Sequence, residues 1–224
     1  MIARRTLLSA LVLAGPTAAC AAGGAHADFF RAIEVDNVQA VSALLRRGFD
    51  PNARDTRGQP ALVLALHGES PQSAQLLIGA RGLKVNARNA KGETALMMAA
   101  LRGNLEAARA LIARDADVNQ EGWTPLHYAA SCITDEAPEM VALLLRQHAF
   151  IDAASPNGTT PLMMAVRYGK FESALLLVRE GADPTLKNEK GLSALDFARQ
   201  ADRADMLDLV TQALRRRAPR AGRW

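Results

Sequence analysis

Five short segments recur along this chain in one pattern: Gly, any residue, a small or hydroxyl-bearing residue or Pro, then Pro or Ala, then Leu. They are Gly58-Gln59-Pro60-Ala61-Leu62, Gly92-Glu93-Thr94-Ala95-Leu96, Gly122-Trp123-Thr124-Pro125-Leu126, Gly158-Thr159-Thr160-Pro161-Leu162 and Gly191-Leu192-Ser193-Ala194-Leu195. Their glycines are 34, 30, 36 and 33 residues apart. A period of that length means an array of similar units, each contacting only its neighbours. After each segment Leu and Ala recur at three- and four-residue spacing, which gives a helix one apolar stripe. Only 4% of residues are aromatic. A core of Ala and Leu, both strong helix formers, implies thin and closely packed helices. Thr at the helix start can cap free N–H groups, and Pro at the first helical position gives up no needed donor.

The fourth segment continues as Thr124-Pro125-Leu126-His127-Tyr128-Ala129-Ala130. Second-helix patterns follow at Glu106–Ile112, Glu139–Leu145 and Glu172–Leu177. Turns of one type close them: Gly48-Phe49-Asp50-Pro51-Asn52, Asp115-Ala116-Asp117-Val118-Asn119 and Gly181-Ala182-Asp183-Pro184-Thr185. On these motifs the chain resembles the ankyrin-repeat family over residues 28–214. The resemblance implies an all-α solenoid of about six helix-turn-helix units joined by β-hairpin-like loops. The units are about 28–58, 59–92, 93–122, 123–158, 159–191 and 192–214. The first and last meet water on one side and read as caps; Phe29 and Phe30 stand where later copies carry Pro-Leu or Ala-Leu.

Two departures from the period can be located. The step from Asn119 to Gly122 is three residues where the other loops have six, leaving Gln120 and Glu121 at a shortened tip. Six residues, Ile133 to Pro138, separate Cys132 from Glu139 where the third unit has three. Irregular loops on a regular scaffold are common sites of function, and also what neutral drift leaves.

The chain ends differ from its body. Arg4 and Arg5, the apolar run Leu7 to Ala14 and Ala25-His26-Ala27 have the layout of an export signal cut after residue 27, by the general secretory or the twin-arginine route. Lipidation at Cys20, in Thr17-Ala18-Ala19-Cys20, and retention as a tail stay open. Residues 215–224 form a basic tail with five Arg, readable as a solvated end or as an attraction to anionic lipid or an acidic partner. Without those ends, 20 basic residues face 23 acidic ones, so composition implies no basic face for nucleic acid. With Cys20 gone, Cys132 alone cannot form an internal disulfide.

No catalytic set emerges, and neither cofactor nor metal is expected. His67 and His148 lack a second ligand at metal spacing. Cys132 lacks a base and an orienting group, so a small apolar filler is the plainer role. The resemblance gives His127 the task of bridging backbone groups between adjacent turns. It also implies a monomeric protein-binding module that uses its loop tips and the inner face of its first helices. The inner-face candidates are Leu64, Met98, Leu101, Arg102, Tyr128, Ser131, Met164, Arg167 and Tyr168. The loop candidates are Arg54, Asp55, Arg57, Arg88, Asn89, Lys91, Glu121, Trp123 and Lys190. Trp, Tyr and Arg dominate interface hot spots, which singles out Trp123, Tyr128, Arg102, Arg167 and Tyr168, while Met98 and Met164 suit an adaptable contact. The expected partner is an exported protein in the bacterial periplasm. The alternative is a membrane-associated accessory lipoprotein held by Cys20 or the tail.

Overall fold

The computed structural model describes residues 17–217. They form twelve α-helices in six antiparallel pairs: α1 (Thr17–Glu34) with α2 (Val38–Arg46), α3 (Ala61–His67) with α4 (Pro71–Ile78), α5 (Ala95–Leu101) with α6 (Leu105–Ile112), α7 (Pro125–Ser131) with α8 (Ala137–Arg146), α9 (Pro161–Tyr168) with α10 (Phe171–Arg179), and α11 (Ala194–Gln200) with α12 (Ala204–Arg217). Each first helix packs on the next first helix, and each second helix on the next second helix except at the step from α6 to α8, where the two stand further apart. The core is one continuous cluster threaded through every unit, from Phe29 and Ile33 to Met206 and Val210.

Four first helices start in the same way with different chemistry. The residue at the third helical position reaches back to the backbone N–H of the Thr or Ser before the helix. Met97 and Met163 do so with Sδ at 3.4 Å, His127 with Nδ1 at 3.2 Å and Asp196 with a carboxylate oxygen at 2.9 Å. This closes N–H groups that a helix of seven or eight residues would leave open.

The six pairs match the expected units, but the β-hairpin-like loops are a correction. Among the described residues there is no strand, and the loops contain two isolated antiparallel bridges, Arg54 with Pro60 and Lys187 with Ser193. The physical reason is that side chains take the groups a ladder would use. In the second-unit loop Asp55 N–H donates to Gln59 C=O and Ala61 N–H to Ala53 C=O, the two bonds of one isolated bridge. The N–H groups of Arg57 and Gln59 then donate to the Asp55 carboxylate. Asn89 and Asn188 repeat this with their side-chain carbonyls. Such turns compete with sheet pairing and win in a loop this short.

Successive loops are joined by one residue per unit. Asn52 accepts from Lys84 N–H at 2.7 Å and donates to Gly82 C=O at 2.9 Å. Asn86 does the same to Asp117 and Asp115, and Asn119 to Phe150 and His148. The carbonyls served belong to residues in the left-handed region: Gly82 (φ 76°), Asp115 (φ 60°) and His148 (φ 62°), with Gly181 (φ 101°) next in the series. At that last step the ladder residue is Asp152, which accepts from Asp183 N–H but has no amide to donate. Arg217 fills the gap. It donates to Gly181 C=O at 3.3 Å and pairs with Asp183 at 2.6 Å. α12 thus runs three residues into the segment read as a basic tail, while residues 218–224 and 1–16 lie outside the described region. At the other end α1 begins at Thr17, within the segment read as an export signal, and His26 contacts Arg54 C=O at 2.8 Å.

Two glycines record close approaches between units. A Cβ on Gly169 would collide with the carbonyl of Ala130, and one on Gly103 with the hydroxyl of Thr134. The latter seats the longer fourth-unit loop on unit three. Asp135 of that loop pairs with Lys170 of unit five, so the loop spans three units. Ala137 and Pro138, the last two residues of the long segment, belong to α8.

Replacing Asn86 with Ala removes two inter-unit hydrogen bonds and strands the Asp115 carbonyl. We expect a loss of about 1–3 kcal/mol, read by urea denaturation. His148→Gly relieves a non-glycine residue at positive φ and is expected to raise the melting temperature, with a gain on the order of 0.5–1 kcal/mol.

Candidate functional site

The first helices and the loops before them form one side of the stack, and most of the candidate residues gather there. Trp123 precedes α7 and sets its indole edge-on against His127, with ring centroids 5.2 Å apart. Tyr128, one residue beyond His127, sends its hydroxyl across a unit to donate to Glu93 at 3.0 Å. Burial and the Glu93 carboxylate push the Tyr128 phenol well above its usual 10, so it stays protonated and keeps donating. Leu101, Trp123, His127, Tyr128, Ser131 and Met164 enclose an open notch of about 200 Å³. The shortened loop lies beside it. Gln120 donates to Trp123 C=O at 2.8 Å, and the loop lacks the rung that its neighbours make.

A second notch of about 310 Å³ adjoins the first. Arg57, Gln59, His67, Asn89, Ala90, Lys91 and Glu93 line it, so Glu93 is the wall between the two. Arg57 is 70% exposed and 3.5 Å from Asp55, and Lys91 is exposed. Arg88 is also exposed, whereas Arg54 is tied to the carbonyls of Gly58 and Arg88. Asp55 is mostly covered and serves its own turn. The two notches sit in halves of opposite charge. Residues 28–91 hold nine Lys and Arg against six Asp and Glu, and residues 92–214 hold eleven against seventeen.

Several candidates have a structural task. Arg102 donates to Glu69 at 2.7 Å and to His67 C=O at 2.6 Å, so it braces unit three on unit two. Arg167 donates to Gln200 at 3.1 Å and lies over the rings of Tyr168 and Phe197. Tyr168 remains 51% exposed. Met98 differs from the expectation: it is 1% exposed and belongs to the core, because α5 is apolar almost all round and packs between α3 and α7. Leu64 and Met164 are half-buried, and Glu121 and Lys190 are exposed on their loops. Sequence reasoning passed over Glu93 and His67 as surface residues. Glu93 lies 35 residues before Tyr128, a one-unit offset that could have flagged the pair.

His127 is fully buried. Its Nδ1 accepts from Thr124 N–H and its Nε2 donates to Thr159 C=O at 2.9 Å, bridging adjacent units as expected. Cys132 is 1% exposed with Sγ 3.4 Å from the Thr134 hydroxyl. Both nitrogens of His127 are engaged, so it is no base for this thiol. Among the described residues no group of His, Cys, Asp and Glu could hold a metal ion.

With this geometry in place, comparison with known proteins decides the family. The family described as "Ankyrin repeats (3 copies)" matches residues 29–121 and 67–155, and "Ankyrin repeats (many copies)" matches 150–198. The chain belongs to the ankyrin-repeat family. It is similar to the mouse B-cell lymphoma 3 protein homolog, 33% identical over 174 residues that are 75% of this chain and 38% of that protein. It is also similar to the human transient receptor potential cation channel subfamily A member 1, 28% identical over 70% of this chain and 15% of the channel. The chain thus spans well under half of these curated relatives. Among solved structures, an ankyrin repeat domain from Acinetobacter baumannii superposes with a TM-score of 0.67 at 27% identity, covering 83% of this chain and 96% of that one. A chain from the complex of a predatory endopeptidase of Bdellovibrio bacteriovorus with an immunity protein gives 0.69 at 28% identity, covering 83% and 97%. As an ankyrin-repeat protein the chain is a scaffold for protein–protein interaction.

Burial lowers the His127 pKa below 6.5, against the opposing pull of its backbone partners. The unfolded chain therefore takes up this proton first as pH falls. The contribution is fully present above 6.5 and is lost on acidification below it. Thermal melts from about pH 7.5 to 5 should show a declining melting temperature, and His127→Gln should flatten that decline. Asp183 and Asp196, both held below the usual carboxylate range chiefly by hydroxyl donors, lose their contribution only at more acid pH and do not share this window.

Proposed function

We propose that this chain is a periplasmic binding module that holds, and thereby stabilises or inhibits, another exported protein. The observation that carries the reading is the strip of open aromatic and apolar side chains on the first-helix side: Trp123, Tyr128, Met164 and Tyr168, with the Tyr128 hydroxyl held by Glu93 and Arg167 lying over the Tyr168 ring. Aromatic anchors held rigid by such struts lose little freedom when a partner covers them. The export layout of residues 1–27 supports the compartment. The likeness to a chain from an endopeptidase–immunity protein complex is consistent with an enzyme as partner. Among the described residues no helix is long and apolar enough to cross a membrane.

The test is affinity capture from a periplasmic extract with the mature chain as bait. We expect one stoichiometric partner, with affinity falling at least about 30-fold on Trp123→Ala or Tyr128→Ala while the melting curve is kept. Undiminished capture by both variants overturns the proposed surface. Fractionation checks the compartment: a soluble periplasmic chain beginning at Asp28 is expected. A membrane-bound chain released by Cys20→Ser favours the lipoprotein instead.

A further inference from the structure

The strip described above is not chemically uniform, and its two notches differ in what they can hold. The notch between units two and three is lined by Arg57 and Lys91 from its loops and by His67 from the end of α3, all three exposed. Lys91 makes no ion pair among the described residues, and Arg57 keeps only a 3.5 Å approach to Asp55. The opposing carboxylate is Glu93, which is already engaged by the Tyr128 hydroxyl and the Asn89 amide at 2.6 Å. Those donors hold the Glu93 carboxylate toward the Tyr128 side without cancelling its charge, so the lining carries two cations, Arg57 and Lys91, against one carboxylate, in the half of the chain with the excess of basic residues. The second notch, bounded by Leu101, Trp123, Tyr128 and Met164, is largely apolar and takes one branched or aromatic side chain. Its centre lies about one and a half units along the stack. At roughly 8–10 Å between packed helices this is on the order of 12–15 Å. An extended chain at about 3.3 Å per residue covers that span in about four residues.

We infer that this surface recognises an extended segment of a partner protein that carries a carboxylate side chain and, about four residues away, an apolar side chain. The inference rests on the protein-binding reading given above and adds the chemistry of the partner. The carboxylate enters the Arg57–Lys91 notch and the apolar side chain enters beside Trp123. Glu93, at the wall between them, disfavours a second acid in the middle of the segment. Charge complementarity sets the register, and the apolar anchor supplies the buried area.

The experiment is selection of a random dodecapeptide display library on the full mature chain, with the enriched pool sequenced. The expected pool pairs Asp or Glu with Leu, Met, Phe or Trp about four positions apart, enriched on the order of tenfold over the unselected library. On the double variant Arg57→Ser/Lys91→Ser the acidic preference should vanish while the apolar one persists. Both changes lie on exposed loop positions, and an unchanged melting curve verifies the fold. No enrichment over bare support, an acidic preference that survives the double variant, or acid and apolar residues without fixed spacing would each overturn the inference. Because the selection uses neither extract nor compartment, its failure alongside successful capture removes the linear segment and leaves the binding module standing.

Discussion

Helices of seven to ten residues cannot hold themselves in water, so everything in this molecule depends on the contact between one unit and the next. That contact is built twice. On the helical side it is a continuous apolar core of Ala, Leu and Met, in which Ala99, Ala130 and Ala165 let the first helices approach closely. On the loop side it is polar and directional, made at three successive steps by Asn52, Asn86 and Asn119, each of which both accepts from and donates to the next loop. The two halves of the contact divide the work. Burial supplies most of the driving force, and the asparagine bonds fix which residue faces which.

The same division explains why the binding side can be chemically adventurous. Core positions repeat nearly unchanged, whereas the third helical position alternates Met, His, Met and Asp while doing one job, and the exposed loop positions vary more. Arg102 and Arg167 show how a surface residue becomes part of the frame. Each spans to a neighbouring unit, Arg102 back to Glu69 and His67 and Arg167 forward to Gln200, and Arg167 in doing so lies over the ring of Tyr168. The irregular features sit together at unit four: the short loop beside Trp123, and the long turn that rests on Gly103 and pairs with Lys170.

Much of this was legible in the sequence because a repeat reports the same fact several times. Five registered glycines and Leu at fixed offsets gave the helix pairs, and the helix-start role of Thr124 and Thr160 followed from residue type. Interactions between units were harder to see, since they link residues some 30 to 35 apart. The Asn ladder, the Glu93–Tyr128 pair and the Arg217 substitution all have that separation. Met98 was misplaced because residues 95–101 are apolar all round, so periodicity alone does not say which face is open. The loops were expected to pair like strands because the family resemblance implies it. Asp55, Asn89 and Asn188 instead spend their side chains on the local turn, a choice set by residue chemistry rather than spacing.

The asparagine ladder has one property that outlasts the static picture: it has a direction. Each side chain reaches forward, from its own loop to the loop of the following unit, and none reaches back. A chain delivered from its amino end, as at a ribosome, therefore always has a finished unit waiting with its amide already in place when the next one emerges. The amino end is the growing point's template, and the carboxyl end is the latch. The last rung closes only when Arg217 arrives to do what Asp152 cannot, so completion of the array is tied to delivery of its final helical turn.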